Sequence, residues 1–396
     1  MSDFTRTKYI IYTILGIVML GIVWFVFTSY LSPVTPAVIP QQQPGISGRT
    51  GGGGPGGAPI TTNPPPAAPP ALPELPSITE QKLIRLTDFS VISPSLNKDG
   101  TKVLFYKKDG GDLFSVDFHG AQQEKVAHVT VVGITEALWP MTRDRAAVFY
   151  LSGDTLKGFL HIGTSSIAVL TQDIRSFSWS PDGKSLAYLV PKDDFMALVI
   201  ADASGKNPKT VFRTPLTDAT ISWITSDKIA FQTAPSGAAE GFIFTFSRST
   251  GVFTKVFGPA FGLQSRWSPD ASQILVSQTR RGGGNLTAGI YQTAKKTFRT
   301  LDVATVPEKC VWADAQEIYC AVARSIPAGI MMPDDYLRGE YNSADRIVRI
   351  AADKNEVADV FGEGSFDMSN LSITKNKSFL FFVGRVDGTL WSLKLK

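Results

Sequence analysis

Short apolar runs separated by polar turns fill the chain from Thr79 onward, and one arrangement of them recurs. In this arrangement a tryptophan is followed by a polar turn and then by an apolar, strand-like segment. The string WSPDGKSLAY begins at Trp179, and WSPDASQILV begins at Trp267, 88 residues later. Trp223 lies midway between them, 44 residues from each. The spacing indicates an internal repeat in which each copy is one structural unit.

Other copies extend the same register on both sides. Trp139 precedes Trp179 by 40 residues and Trp312 follows Trp267 by 45. We therefore expect equivalent structural roles for Trp139, Trp179, Trp223, Trp267 and Trp312. Fainter copies that begin at Ile92 and Leu371 bring the number of units to seven. Each unit reads as four strands joined by Pro- and Gly-containing turns, and four antiparallel strands every 40–47 residues predict an all-β, seven-bladed β-propeller.

The two ends of the repeat region complement each other. The last unit stops at Lys396 after its third strand, and a lone strand-like segment, Lys82–Leu86, precedes the first unit. We expect this segment to supply the missing fourth strand, because the ring then closes without an open sheet edge. The predicted propeller covers residues 79–396, closed by a strand near 82–86.

The N-terminal part of the chain has a different pattern. Tyr9–Leu31 is an uncharged run of 23 residues, long enough to cross a hydrocarbon core of about 30 Å as a helix. Arg6 and Lys8 precede the run, and basic residues do not follow it closely. This asymmetry predicts a single-pass transmembrane helix at 9–31, with residues 1–8 in the cytoplasm and the propeller in the periplasm or outside the cell. A cleaved signal peptide is the alternative.

A segment rich in proline and glycine lies between the predicted helix and the repeats. Residues 32–78 contain 13 prolines and only two charged side chains. Such a composition buries too little apolar surface to offset the entropy of ordering, so it predicts a disordered linker. A spacer that holds the propeller away from the bilayer is the favoured interpretation, and a ligand for Pro-binding domains is the alternative.

The net charge, the few cysteines and histidines, and the lack of known catalytic motifs exclude several classes of function from our prediction. Beyond residue 78 the chain has 36 basic and 33 acidic side chains, a net charge of +3, which argues against nucleic acid as a partner. Two cysteines and three histidines leave little material for a zinc site or for histidine chemistry. The sequence contains no G-x-S-x-G elbow, H-E-x-x-H motif or P-loop. We therefore predict no catalytic residue, no metal and no cofactor, and a protein that is not an enzyme.

Cys310 and Cys320 flank a predicted hairpin whose centre falls near Ala315. Equal spacing from the turn places the two cysteines opposite each other on neighbouring strands. An extracytoplasmic compartment would allow them to form a disulfide. The alternative is a pair of buried thiols, because a shift of one residue in the strand pairing would separate the sulfurs.

The sixth unit is longer than the others, and its extra residues are Ser325–Asp345, between the second and third strands. The corresponding loops of the two preceding units, Ala234–Glu240 and Arg280–Leu286, are also long. We expect these three loops to build up one sector of one rim. Aromatic, Met and Arg side chains are enriched at protein interfaces, so the predicted partner-binding residues are Met332, Asp334, Asp335, Tyr336, Arg338, Tyr341, Arg280 and Arg281.

The alternative for the insertion is a lid that packs on its own propeller. In that interpretation Tyr336 is buried, and Asp334 or Asp335 pairs with Arg280 or Arg281. A lid and an interface are compatible with each other. One acidic pair supplies too few ligands for Ca²⁺, so no metal site is predicted there.

The residues Trp179–Tyr188, W-S-P-D-G-K-S-L-A-Y, resemble the propeller repeat of the TolB type, a WD-like family of bacterial envelope proteins. The resemblance is close at Trp179 and Trp267 and weaker in the other units. TolB has an additional N-terminal α/β domain, whereas this chain has a predicted anchor and linker at that position. The resemblance implies a binding scaffold outside the cytoplasm, without implying the partners of TolB itself.

These observations predict a membrane-anchored propeller that acts as a non-enzymatic interaction or scaffolding module of the cell envelope. Its partner would be an envelope protein, and its only membrane contact would be residues 9–31. Two alternatives remain open. One is an envelope enzyme, such as a hydrolase, lyase or cyclase, with its site at the propeller channel. The other is a structural component of a surface layer or an appendage.

Overall fold

The computed structural model describes residues 82–164, 166–170, 173–354 and 356–396, without the side chains of Ser166 and Ile167. The predicted cytoplasmic segment 1–8, transmembrane helix 9–31 and linker 32–78 lie outside these residues. Within the described part of the chain, no helix is long and apolar enough to cross a membrane.

The alternation of apolar runs and polar turns produces strands almost throughout the described residues. The first thirteen are β1 (Leu83–Arg85), β2 (Val91–Leu96), β3 (Val103–Lys107), β4 (Leu113–Val116), β5 (Glu124–Ala127), β6 (Ile134–Leu138), β7 (Arg145–Ser152), β8 (Thr155–Ile162), β9 (Ser166–Leu170), β10 (Ser176–Trp179), β11 (Ser185–Lys192), β12 (Phe195–Asp202) and β13 (Lys209–Thr214). The others are β14 (Thr220–Trp223), β15 (Lys228–Gln232), β16 (Glu240–Ser247), β17 (Phe253–Trp267), β18 (Gln273–Thr279), β19 (Thr287–Gln292), β20 (Thr297–Thr300), β21 (Cys310–Trp312), β22 (Glu317–Ala323), β23 (Asp345–Ala351), β24 (Glu356–Phe361), β25 (Met368–Ile373), β26 (Phe379–Gly384) and β27 (Leu390–Lys394). One short helix, α1 (Asp334–Arg338), and a 3₁₀ turn at Pro307–Lys309 complete the regular elements of the described chain.

The strands pair antiparallel in chain order, as the repeat predicts. Four-stranded sheets are formed by β2–β5, β6–β9, β10–β13 and β21–β24. Strands β14–β20 form a single sheet of seven strands. The two units merge there because β17 pairs with β16 through its first part and with β18 through its last part. The described residues therefore form six sheets rather than seven separate ones.

The first and last strands of the described chain lie side by side. β1 pairs with β27, with Leu83 opposite Leu393 and Arg85 opposite Trp391. The backbone N–H of Leu86 adds a 2.8 Å hydrogen bond to the carbonyl of Leu390. Strand β1 is thus the fourth strand of the last sheet, in the order β1-β27-β26-β25, where the sequence predicts it.

Neighbouring units are joined at the tryptophan positions. Three indole N–H groups donate hydrogen bonds of 2.8–3.2 Å to a backbone carbonyl of the preceding unit: Trp139 to Ser93, Trp179 to Leu138, and Trp312 to Arg266. The indole nitrogen of Trp223 is buried without a partner among the described residues. The core lies between successive sheets, where residues such as Leu160 of one unit pack with Leu186 of the next. Burial of such apolar faces is the main stabilising contribution to the fold.

Candidate functional site

The insertion of the sixth unit folds as a lid, here defined as residues 325–344. Its helix α1 follows Pro333 and has two aspartates in the first turn, whose charge suits the positive end of a helix. The helix ends at Gly339, which adopts a left-handed conformation with φ of 78°, a backbone geometry that glycine tolerates best. The local sequence thus specifies a single compact turn of helix.

Direct hydrogen bonds join the lid to the two neighbouring long loops. The carboxylate of Asp334 accepts bonds from Ser236 Oγ at 2.9 Å and from the Gly237 N–H at 2.6 Å. Backbone bonds complete the contact, from Met332 N–H to Gly283 O at 3.1 Å and from Gly282 N–H to Gly237 O at 2.7 Å. A Cβ atom on Gly237 would lie 2.6 Å from the Gly283 Cα, so the loops approach this closely only because glycine occupies that position. The three loops therefore form one connected sector, as the sequence predicts.

The underside of the lid is apolar and buried. Tyr336 is 1% exposed and packs with Met332, Tyr341, Leu286 and Val306. The hydroxyl of Tyr341 donates a 2.8 Å hydrogen bond to the carbonyl of Ser325, at the start of the lid. These contacts fix the lid on its own propeller.

A buried network of charges lies beneath Tyr336. Lys309, only 4% exposed, places its Nζ 2.6 Å from Asp345 Oδ2, 2.8 Å from Asp367 Oδ1 and 2.5 Å from Ser343 Oγ. The ring of Tyr336 covers this ammonium group at 5.0 Å. Both carboxylates are fully buried, and removal of one partner from such a network leaves an uncompensated charge. The network therefore holds in place the residues on which the lid packs.

Arg385 also lies close to the ring of Tyr336. Its guanidinium carbon lies 4.1 Å from the Tyr336 ring centroid, and one of its nitrogens lies 3.6 Å from Asp367 Oδ2. Another nitrogen donates to the backbone carbonyl of Tyr336. Tyr336 thus has two cations near its ring, and the face of an aromatic ring attracts a cation.

The pKa values of Tyr336 and Glu308, which lie in this region, are both raised above their ordinary values. Burial raises the pKa of Tyr336, and the charges of Glu308 and Asp367 raise it further. Loss of solvent around its carboxyl group raises the pKa of Glu308, and the positive charges of Arg385 and Lys309 partly offset this rise. Glu308 keeps contact with solvent, so its raised pKa reflects crowding by surrounding protein rather than complete burial.

The structure places some of the predicted partner-binding residues in buried positions and others in exposed ones. Met332, Tyr336 and Tyr341 are buried under the lid and are not part of an exposed surface, because the propeller itself supplies their apolar contacts. Asp335 bonds to Arg338 at 2.5 Å. Neither aspartate pairs with the exposed Arg280 or Arg281, which differs from the pairing that the lid alternative supposes. The exposed members of the set are Arg280, Arg281 and Arg338, with Leu337 and Glu340 beside them.

Cys310 and Cys320 are directly opposed in the pairing of β21 with β22. The structure joins them in a disulfide, with their Cα atoms 4.0 Å apart. This separation is close to that of the narrower type of antiparallel pair. The disulfide lies in the hairpin that follows Lys309.

A second polar region lies where the first strands of three units meet. A cavity of about 340 Å³ is lined by residues of β2, β6 and β25, including Ser93, Glu136 and Asn370. Crowding by protein raises the pKa of Glu136, whose side chain still reaches solvent. The part of the chain that the structure describes contains no group of three or more His, Cys, Asp or Glu side chains able to hold a metal ion.

Sequence reasoning did not find Lys309, Asp345, Asp367 or Arg385. They lie in different elements, far apart in the chain, and they match no motif. The only sequence signal near them is the length of the insertion above them.

Solved structures similar to this chain share its fold. The propeller domain of the Trilobed protease from Pyrococcus furiosus has a TM-score of 0.53 and 13% identity, covering 77% of this chain and 95% of that one. An oligogalacturonate lyase from Vibrio parahaemolyticus has a TM-score of 0.57 and 12% identity, covering 81% and 95%. An oligogalacturonate lyase in complex with manganese has a TM-score of 0.55 and 13% identity, covering 79% and 93%. The chain is therefore all-β and has the fold of β-propeller proteins.

TolB from Acinetobacter baumannii is also similar, with a TM-score of 0.45 and 14% identity over 69% of this chain and 64% of that one. The resemblance to TolB therefore concerns the repeat sequence and the fold, and this structural match adds nothing about function. No family model matches the chain, and no curated protein matches it in sequence.

The prediction that the chain is not an enzyme is contradicted by these neighbours. Two of them are oligogalacturonate lyases, so proteins with this fold include enzymes. At 12% and 13% identity the likeness concerns the fold alone.

Proposed function

We propose that this protein displays a β-propeller outside the cytoplasm and uses the lid sector to bind an envelope protein. In this proposal residues 9–31 anchor the chain, residues 32–78 form the linker, and the propeller has seven blades, two of which share β17. The main support is that three long loops of neighbouring units join through Asp334, Gly237 and Gly283. Loops that serve only as connections have no need of such mutual bonding.

Rigidity of the sector supports the same proposal. The buried charges of Lys309, Asp345 and Asp367 hold the lid from below, and its exposed side is therefore fixed before any partner arrives. A preformed surface loses less conformational entropy on binding than a mobile one. Leu337 and Arg338 are exposed on this surface, and Leu337 is 42% exposed.

Photocrosslinking in the source cells tests this proposal. Probes belong at Leu337 and Arg281, which are exposed, rather than at Tyr336 or Tyr341, which are buried. We expect one discrete protein adduct from both positions, and loss of that adduct when Arg338→Glu reverses a charge beside the probe. A probe at the exposed Lys157, in another unit, is the matched control. The same adducts from Lys157, or adducts unchanged by Arg338→Glu, would contradict the proposal.

An enzyme with its site at the cavity of the first strands is the second proposal. It is supported by Glu136, a glutamate of raised pKa that lines this cavity with Ser93, since a carboxyl group that holds its proton more tightly than usual can act as a general acid toward a bound substrate. The lyase activity named for two neighbours suggests oligogalacturonate as the first substrate to assay. We expect ultraviolet absorbance from the unsaturated product of elimination, lost in Glu136→Gln. Equal rates in the two proteins would remove Glu136 from the reaction.

A further inference from the structure

A cleft between two units is separate from the lid sector and from the cavity at Glu136. Its volume is about 620 Å³, and it is lined by residues of the fourth and fifth units, from the end of β14 to the turn after β19. Trp267 and Tyr291 supply aromatic surface, and Lys228, Lys255 and Lys296 surround it. No lid residue lines this cleft.

The tryptophan of the fifth unit forms part of the wall of this cleft. At Trp139, Trp179 and Trp312 the indole N–H bonds to the preceding unit. Trp267 makes no such bond among the described residues, and its side chain is part of the cleft wall instead. The tryptophan that bonds to the preceding unit at three other positions is therefore available to a ligand here.

The lining of the cleft contains three lysines and one carboxylate, and Asp227, just outside the lining, interacts with the charge of Lys228. Among the described residues, none of the three lysines lies within ion-pair distance of a carboxylate. Asp270 is the single acidic residue of the lining. Its carboxylate is already bound by Ser268 Oγ at 2.6 Å and by Ser272 Oγ at 2.8 Å. The lining therefore carries a net charge of about +2, which attracts anions.

The remaining lining consists largely of serine and threonine hydroxyls. Each hydroxyl has one O–H donor and two acceptor lone pairs. The hydroxyls of Ser247 and Thr293 already donate to Asp227 and to the carbonyl of Ser272. Aromatic faces, hydroxyls and ammonium groups together suit a ligand that has apolar ring faces, many hydroxyls and several negative charges. Inorganic phosphate offers no apolar face to Trp267, and a neutral sugar offers no charge to the lysines. We propose that this cleft binds an acidic oligosaccharide built of uronic acid units.

This proposal is independent of the function proposed for the lid sector. Isothermal titration calorimetry with the full-length chain in mild detergent tests it, with a mannuronic acid hexamer as the probe. The matched neutral ligand is a mannose hexamer of the same linkage, which lacks only the carboxylates. We expect the acidic hexamer to bind at least tenfold more tightly than the neutral one. Equal affinities would overturn the proposal.

Variants test the position of the site. The triple variant Lys228→Gln, Lys255→Gln, Lys296→Gln is expected to weaken binding of the acidic hexamer at least tenfold. A control variant with Lys98, Lys157 and Lys375 changed to Gln, exposed lysines elsewhere, should bind within twofold of the unaltered protein. Trp267→Phe keeps an aromatic core residue and should weaken binding severalfold. Unchanged affinity in the cleft triple variant, or competition by inorganic phosphate at the concentration of the hexamer, would overturn the proposal.

Discussion

Two successive junctions between units use the same tryptophan position and differ in how closely they are sealed. At the junction marked by Trp312, the indole bonds to the carbonyl of Arg266, and the Arg266 guanidinium bonds in turn to the carbonyl of Cys310 at 2.5 Å. At the junction marked by Trp267, the indole has no such bond and a cleft of about 620 Å³ opens. The repeated tryptophan motif therefore marks where units meet. The residues around it determine whether the indole bonds to the preceding unit or lines a cleft.

Removal of the buried ammonium group at the sealed junction should have the largest effect on stability. Lys309→Met leaves the carboxylate of Asp345 buried without its counter-charge, and it leaves Asp367 with Arg385 alone, at 3.6 Å. We expect the free energy of unfolding to fall by about 3–5 kcal/mol, measured by urea denaturation. Lys255→Met at the open junction is the matched change and should cost no more than about 0.5 kcal/mol. Similar losses in the two variants would mean that the junctions do not differ in this way.

Loss of the disulfide at the sealed junction should have the next largest effect. Cys310→Ser combined with Cys320→Ser removes a crosslink that closes a short loop of the unfolded chain. We expect a loss of about 2–3 kcal/mol in the free energy of unfolding. A reducing agent should lower the stability of the unaltered protein and leave the double variant unchanged. Free thiols found by non-reducing mass spectrometry of protein from the envelope would contradict the disulfide itself.

Substitution of the tryptophans compares the two junctions directly. Trp312→Phe removes the indole bond to Arg266 and should cost about 1 kcal/mol more than Trp267→Phe, which loses no hydrogen bond. Trp179→Phe serves as the control and should resemble Trp312→Phe, because Trp179 bonds to Leu138 in the same way. Equal losses in the free energy of unfolding for the Trp267 and Trp312 variants would show that the indole hydrogen bond does not stabilise the junction.

The smallest expected effect is a dependence of stability on pH through Glu308. Crowding raises the pKa of Glu308 in the folded state, so the folded protein binds this proton more tightly than the unfolded chain. Stability should therefore fall as the pH rises from the ordinary glutamate range through the raised pKa. Glu308→Gln should reduce that slope in urea denaturation at several pH values. Glu363→Gln, an exposed control, should leave it unaltered.

The repeat could be recognised from the sequence because its tryptophans and turns recur at regular intervals. The pairing of Leu83–Arg85 with the last strand followed from counting strands in the last unit. The union of two units through β17 was not predicted, because the repeat assigns the fourth strand of one unit and the first strand of the next to separate strands, whereas strand pairing continues on both sides of Gly258 and Pro259. Gly258 allows the bend with a φ of 103°.

The polar features of the site were less accessible to sequence reasoning. The lid sector was predicted from the lengths of three loops, but its buried network was not, because Lys309, Asp345 and Asp367 come together only through the packing of different elements. The cleft at Trp267 depends on a hydrogen bond that is not made, and the letters of the cassette at Trp267 are nearly those at Trp179. Contacts between units, rather than composition, decide such features.

The pairing of β1 with β27 also determines how the fold responds to force. Strand β1 lies at the edge of its sheet and is joined to β27 through three paired residues and through further backbone bonds at Leu86 and Lys394. Tension along the chain that precedes β1 reaches the described strands at this one first. Such a pull loads the pairing of β1 with β27, and the apolar packing of the first unit on the last sheet, which includes Phe105 and Phe381, resists further separation.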